Sequence, residues 1–392
     1  MDHTSSAAYF ARLDALAREA GQGVPRMLVD LARVDANVDR TLRHLHGRAL
    51  RLVVKSLPSV PLLARIAARA KTHRFMCFHW PFLVQIARSF PGCDVMLGKP
   101  MPVAALEAFY RQPLPDGFDA SMQITWLVDS EARLEQYASL ARARDLRLRI
   151  ALEIDVGLHR GGFADAEALD AVCQRVRAHG PLLSIAGLMG YDAHASKAPW
   201  PRTPRLAVER SAARYAELLA HVRAKHGDLL VTPFVCNGAG SPTVTLHGKD
   251  SPLDDVSVGS ALVKPSSFDL DALAEYEPAI WIATPVLKRE RGIRIPFLEA
   301  LSSRIARGRD TIFVYGGGWM ARPAWPPGLR TSALFGKSSN QQFFSVPRET
   351  ALEPDAHVFL RPTQSEAVML ELGDLLAFEP GGAVHQWPVL VR

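Results

Sequence analysis

The stretch Leu148-Arg149-Ile150-Ala151-Leu152-Glu153-Ile154-Asp155-Val156-Gly157 decides the fold. It is an apolar run of strand length that ends in acids and a glycine. Amphipathic helical patterns lie around it, such as residues 130–144 and 204–225. A strand between two helices reads as one unit of a parallel sheet, because parallel neighbours need a long crossover. Working outward, similar runs occur at residues 50–55, 74–79, 94–99 and 123–129 before it, and at 183–192, 232–237 and 255–260 after it. Eight strand–helix units in succession predict an α/β fold, a closed (β/α)8 TIM-type barrel rather than an open sheet. No GxGxxG opens the first unit, which weakens a dinucleotide-binding alternative.

A strand at 26–31 and a helix at 32–46 precede the barrel. From Glu277 onward the texture changes. Short strand-like runs at 279–283, 311–315, 357–360 and 389–391 are separated by turns such as Gly316-Gly317-Gly318 and Pro380-Gly381-Gly382. This predicts a C-terminal mainly β domain. The expected division is an N-terminal segment 1–48 partly joining the β domain, a barrel 49–276, and the β domain 277–392.

The chain has 392 residues, 48% hydrophobic and 22% charged, which excludes a mostly disordered protein. No apolar run approaches the roughly 18 residues of a membrane span, so no membrane partner is expected. Lys and Arg total 46 against 40 Asp and Glu, a net charge of +6 spread along the chain. Without a dense basic run, a small anionic ligand is expected rather than nucleic acid. Cys77, Cys93, Cys173 and Cys236 form no CxxC pair, and residues 1–21 lack the layout of a signal peptide. Reduced thiols in the cytoplasm are the expectation.

In such a barrel the active site lies at the C-terminal ends of the strands. The first strand leads into Val53-Val54-Lys55-Ser56. Desolvation there would keep the Lys55 amine neutral and nucleophilic; the alternative is a lysine that snorkels to solvent. The fifth strand leads through Glu153 and Asp155 to Arg160, a polar rim. The sixth ends in Gly190-Tyr191-Asp192-Ala193-His194, where glycine lets a ring approach closely. The seventh and eighth lead to Asn237-Gly238-Ala239-Gly240-Ser241-Pro242-Thr243 and Val258-Gly259-Ser260, in the two loops where barrels build phosphate sites. A strand-end lysine with a phosphate cradle across the mouth suggests pyridoxal phosphate, whose aldehyde needs an amine and whose phosphate needs a cradle.

These residues resemble the fold-type III pyridoxal-phosphate enzymes, the alanine-racemase-like barrels. Within them the chain is most similar to the D-threonine aldolase and D-serine dehydratase branch. The matching pieces run nearly full length: Pro25-Arg26-Met27-Leu28-Val29-Asp30, Val54-Lys55-Ser56, Glu153 through Gly162, Asn237 through Thr243, and Val258-Gly259-Ser260. The Glu-Ile-Asp-Val-Gly…Arg block is the most specific, and the lysine segment is shorter than the family's usual form. The resemblance implies that Lys55 holds the cofactor and acts as a base on one face of the substrate α-carbon. It places Tyr191 against the pyridine face and Arg160 near the phenolic oxygen or the substrate carboxylate. It gives the phosphate to Gly240, Ser241, Gly259 and Ser260. Alanine racemases carry an arginine opposite the pyridine nitrogen; Ser257 stands there in this chain, which argues against a plain racemase. The aldolase and dehydratase branch also has a divalent-metal motif in the second domain. Here it reads Arg361-Pro362-Thr363-Gln364-Ser365-Glu366, with Gln364 in the His position and Glu366 in the Cys/Asp position. Neutral glutamine is a poor transition-metal ligand. A divalent metal on Glu366 and His194, and a metal-free polar network, stay open as alternatives. The polar stretch 336–342, with Asn340 and Gln341, either reaches a barrel mouth or is a surface loop. The resemblance implies a homodimer.

The expected function is a pyridoxal-phosphate-dependent lyase acting on a D-configured or β-hydroxy α-amino acid. The expected reaction is retro-aldol cleavage, with His194 taking the β-hydroxyl proton. β-Elimination and racemisation are the enzymatic alternatives. A non-catalytic pyridoxal-phosphate carrier is argued against by the extra domain, and a sugar-phosphate barrel leaves Lys55 unexplained.

Overall fold

The computed structural model describes residues 3–292, 308–331 and 336–392. The chain forms two compact units. One comprises residues 1–34, 263–267 and 277–389; the other comprises 35–262, 268–276 and 390–392.

The second unit is a closed barrel of eight parallel strands: β2 (Ala49–Val53), β3 (Arg74–Cys77), β4 (Asp94–Leu97), β5 (Ile124–Val128), β6 (Leu148–Glu153), β7 (Leu183–Gly190), β8 (Leu230–Gly238) and β9 (Asp255–Val258). β9 closes the barrel onto β2, with Leu50 opposite Val256 and Leu52 opposite Val258. Strands covered on both faces read as continuous apolar runs, and all five residues of β5 are buried. The helices between strands start where the sequence supplies caps. Ser130, Asp165 and Thr203 each accept an amide at the head of Glu131–Ala143, Ala166–His179 and Pro204–His226.

Most of the barrel strands stop one or two residues short of the runs expected from sequence. β2 ends at Val53, and Val54–Ser56 forms one 3-10 turn closed by the Leu57 amide on the Val54 carbonyl. Lys55 therefore stands on a helical turn, not on the strand. The reason is the rim itself: the ladders end at Val53 with Met76 and at Leu52 with Val258, so the chain must satisfy its own backbone.

The first unit holds a nine-stranded sheet. β1 (Arg26–Asp30) lies inside it, antiparallel to β10 (Ile280–Glu290) and parallel to β16 (Leu375–Phe378). Outward from β10 come β11 (Arg309–Val314), β14 (Phe343–Pro347) and the two-residue β13 (Arg330–Thr331); outward from β16 comes β17 (Val384–Trp387). β15 (His357–Pro362) pairs with β10 and with β12 (Ala321–Trp325). The helix α1 (His3–Ala20) buries Phe10 and Leu13 in the sheet's core with Trp281, Phe359 and Phe378. Residues 389–391, expected as a strand, are not one. Leu390 gives its amide to the Pro58 carbonyl, and Val391 exchanges two bonds with Gln85. The last strand is β17 instead.

Candidate active site

The barrel rim gathers Lys55, Tyr191, the glycine–serine loops, Arg160 and His194. Lys55 is half-buried, and its Nζ lies 4.6 Å from the centre of the Phe78 ring, which follows β3. Gly98 makes room for that ring: a Cβ there would lie 2.2 Å from it.

Ser56, next to Lys55, is buried, and its hydroxyl lies 3.0 Å from that of Ser260 after β9. The buried Ser241 hydroxyl, after β8, accepts the amides of Gly259 at 3.1 Å and Ala261 at 3.0 Å. The lysine turn and the glycine–serine loops are thus neighbours, not opposite sides of the mouth. β9 closing onto β2 dictates this. Two glycines are required by close approach. A Cβ on Gly259 would stand 2.8 Å from the Cβ atoms of Ser56 and Val53, and one on Gly240 would stand 2.5 Å from the Tyr191 ring. Three buried hydroxyls, two side-chain-free approaches and an adjacent amine fit a phosphate-bearing aldehyde such as pyridoxal phosphate.

Tyr191 is set between Gly240 and Arg160, whose guanidinium carbon lies 5.2 Å from the ring centre. The Arg160 loop is built on Asp155. Its carboxylate accepts the amides of Gly157 at 2.9 Å and His159 at 3.0 Å, and pairs with the His159 ring at 2.7 Å. Burial opposes ionisation of Asp155, but these bonds hold its carboxyl below the usual range. Glu153, at the end of β6, shows the reverse. Burial pushes its carboxyl up against the pull of Arg160, and Asp129 and Asp155 add to the rise. Gly157, at φ +114, lies against His194: a Cβ there would be 3.0 Å from Nε2. The other ring nitrogen, Nδ1, is buried and has no hydrogen-bond partner.

Ser257 lies in β9 and is buried. Its hydroxyl accepts from Asn237 Nδ2 at 2.8 Å, and the same amide donates to Asp255 at 2.5 Å. Asp255 in turn pairs with Arg51, which is fully buried. The Ser257 position thus carries a neutral hydroxyl–amide pair backed by an ion pair.

Sequence reasoning missed one network. Asp192, 2% exposed, accepts from the Thr243 hydroxyl at 2.7 Å and pairs with His247 Nε2 at 2.8 Å. It ties the loop carrying Tyr191 and His194 to the loop carrying Gly240 and Ser241. Its only sequence signal is an acid directly after a strand-end tyrosine.

Asn340, Gln341, Gln364 and Glu366 belong to the other unit. The Asn340 carbonyl accepts the Gly316 amide at 2.8 Å, and Gln341 gives its amide to Ser338 Oγ at 3.2 Å. Residues 336–342 therefore pack along the triple-glycine turn. Gln364 is the N-cap residue of the short helix Ser365–Val368, and Glu366 accepts from the Ser365 hydroxyl at 3.2 Å. Among the described residues, the group of three with metal-ligand atoms within 4.8 Å is Asp170, His221 and His226, on the outer helices of the barrel. Asp170 already pairs there with both rings and with Lys225. The Cys77 and Cys93 thiols are buried and pushed up by desolvation, Cys93 to about 12.

The family described as alanine racemase, N-terminal domain, matches residues 29–267. No curated protein matches the chain. Among solved structures, the chain is similar to the D-threo-3-hydroxyaspartate dehydratase from Delftia sp. HT23, with TM-score 0.73 and 18% identity over 94% of this chain and 97% of that one. It is similar to the D-threonine aldolase from Filomicrobium marinum, with TM-score 0.72 and 17% identity over 94% and 98%. It is also similar to the alanine racemase from Bacillus anthracis, with TM-score 0.71 and 15% identity over 93% and 97%. At these identities the likeness shows the fold alone.

Proposed function

The chain belongs to the alanine racemase N-terminal-domain family, and from that premise we propose that it is a pyridoxal-phosphate-dependent lyase. Its proposed substrate is a D-configured or β-hydroxy α-amino acid, cleaved in a retro-aldol reaction. The observation that supports this most is the Lys55 turn beside the Ser56, Ser241 and Ser260 hydroxyls. The neutral Ser257–Asn237 pair supports a lyase over a plain racemase.

When bound, pyridoxal phosphate supplies an electron sink for the pair left when a bond at the substrate α-carbon breaks. Lys55 supplies the amine that holds it. The serine hydroxyls and the glycine backbone hold its phosphate. Tyr191, fixed over Gly240, walls the ring, and Arg160 beside it takes the substrate carboxylate. His194 takes the β-hydroxyl proton through a ring nitrogen. The Cα–Cβ bond then breaks, the β-carbon leaves as an aldehyde, and the α-carbon takes up a proton. Glu366 and His194 are the candidate ligands if a divalent metal assists. A cytoplasmic homodimer completes the proposal.

The test is a panel of D- and L-β-hydroxy amino acids, read for aldehyde, for keto acid and for inversion. Aldehyde from D-configured substrates is the expected result. Keto acid would replace the aldolase with a dehydratase, and inversion with a racemase. Chelation followed by Mn²⁺ or Zn²⁺ decides the metal. A colourless protein that takes up no pyridoxal phosphate would overturn the proposal.

A further inference from the structure

Asp170, His221 and His226 meet on the outer helices of the barrel, and none of them belongs to the group gathered at the rim. Asp170 lies in Ala166–His179, between β6 and β7; the two histidines lie in Pro204–His226, between β7 and β8. Both rings turn Nε2 to the same carboxylate oxygen. His221 stands 2.6 Å from Asp170 Oδ1 and His226 stands 2.7 Å from it. The three ligand atoms all lie within 4.8 Å of one another.

This convergence is not what a regular helix gives. Side chains five residues apart on a helix point about 140° apart. His226 joins His221 because it ends the helix, with φ −133° instead of a helical value. The meeting point is open to solvent, since the side chains of Asp170 and His221 are 27% and 18% exposed. Two neutral imidazole nitrogens and one carboxylate oxygen are the donor set of a three-ligand zinc site, whose fourth position takes water.

We propose that Asp170, His221 and His226 bind a divalent transition-metal ion of the zinc type, which ties Ala166–His179 to the end of Pro204–His226. Bonds of about 2.0–2.1 Å set tetrahedral ligand atoms about 3.3 Å apart, so the two short pairs open by about 0.7 Å as the ion enters. Two features limit the affinity. The Lys225 ammonium lies 3.1 Å from Asp170 Oδ2 and competes for the carboxylate; its side chain is 59% exposed, and a surface pair of this kind is weak. His226 Nδ1 is buried and has no hydrogen-bond partner, so nothing behind that ring orients it, a lack that costs about 10–100-fold in metal affinity. The ion stands one 3-10 turn, Gly227–Leu229, ahead of β8 and so fixes the entry to that strand. The site does not depend on whether Lys55 carries a cofactor.

Calorimetric titration of the chelator-stripped full chain with Zn²⁺ tests it, with Ca²⁺ as the comparison. One saturable step is expected that His221→Ala and Asp170→Asn each weaken by at least about tenfold. Lys225→Met is expected to bind at least as tightly as the parent, because the competing ammonium is gone. Glu366→Gln is expected to keep the step. Zn²⁺ is expected to raise the thermal midpoint of the parent and not that of His221→Ala. Midpoints near the parent's in the presence of chelator show that each variant is folded. A titration with no step that His221→Ala and Asp170→Asn remove would overturn the proposal. So would loss of the step in Glu366→Gln with retention in His221→Ala, weaker binding in Lys225→Met, or Ca²⁺ held as tightly as Zn²⁺.

Discussion

The Ser260 hydroxyl lies 3.0 Å from the Ser56 hydroxyl, joining the end of the last barrel strand to the lysine turn of the first. Because Ser56 and Lys55 are consecutive, the group that would hold a phosphate also fixes the amine beside it. Ser56→Ala is expected to remove one neutral hydrogen bond, about 1 kcal/mol, and so to weaken cofactor retention severalfold. Lys55→Ala is expected to abolish the visible absorption of the loaded protein and its activity. Absorption titrations with pyridoxal phosphate measure both. Retention equal to the parent's in Ser56→Ala would separate the hydroxyl pair from the cofactor.

Gly259 tests the close approach directly. Its Cβ would stand 2.8 Å from the Cβ atoms of Ser56 and Val53, so Gly259→Ala must shift the backbone. Overpacking of this kind costs about 1–3 kcal/mol. If the proposed cradle holds the phosphate, cofactor affinity is expected to fall with it, since the same backbone would form that cradle. Gly248→Ala is the control, because a Cβ there meets nothing within 4 Å. Thermal unfolding of the two variants side by side checks the difference.

The barrel was legible because its strands are covered on both faces and read as mainly apolar runs, as in β5, where all five residues are buried and only Thr125 is polar. The sheet of the other unit was not. β12 carries Arg322 and Pro323, β13 has two residues, and β16 is the four-residue run Leu375–Phe378, too short to show a period. That β1 lies between β10 and β16 depends on pairings roughly 250 and 350 residues away in sequence, which no local pattern encodes. The site divides the same way. Lys55, Gly240 and Gly259 stood out because lysine after an apolar strand and glycine in a barrel loop are local signals. Asp192 did not, because its meaning lies in His247, far along the chain.

The Asp192 carboxylate holds Thr243 and His247 together inside the protein. Asp192→Ala would leave a buried hydroxyl and a buried ring without their acceptor, at a cost of about 1–3 kcal/mol each way the network is counted. The loop carrying Tyr191 and His194 would lose its tie, so kcat is expected to fall more than KM changes. Asp192→Asn keeps one acceptor oxygen and is expected to recover part of both losses. Asp192→Asn indistinguishable from the parent in stability and kcat would assign the residue a packing role alone.

Arg51 and Asp255 make the most buried ion pair of the barrel, at 2.8 Å with both side chains fully covered. Burial disfavours the charge on each, but the two carboxylates facing Arg51 and the two guanidinium groups facing Asp255 outweigh it. Arg51 is held above its usual range and Asp255 below its own. A carboxyl whose native pKa lies below the unfolded value of about 3.9 binds fewer protons when folded. Its contribution is therefore present above about pH 4 and is lost as pH falls through the native value. Arg51→Met removes one partner and leaves Asp255 with Arg74, at 2.7 Å. Breaking a buried pair in this way is expected to cost about 3–5 kcal/mol at pH 7. In the variant the Asp255 carboxyl rises, so acid removes less from the variant than from the parent. Urea unfolding at pH 7, 5 and 3.5 should show the gap between the two widest at neutral pH and narrowing below pH 4. A gap constant across that range would mean that Arg51 acts by filling space, not by holding Asp255 ionised.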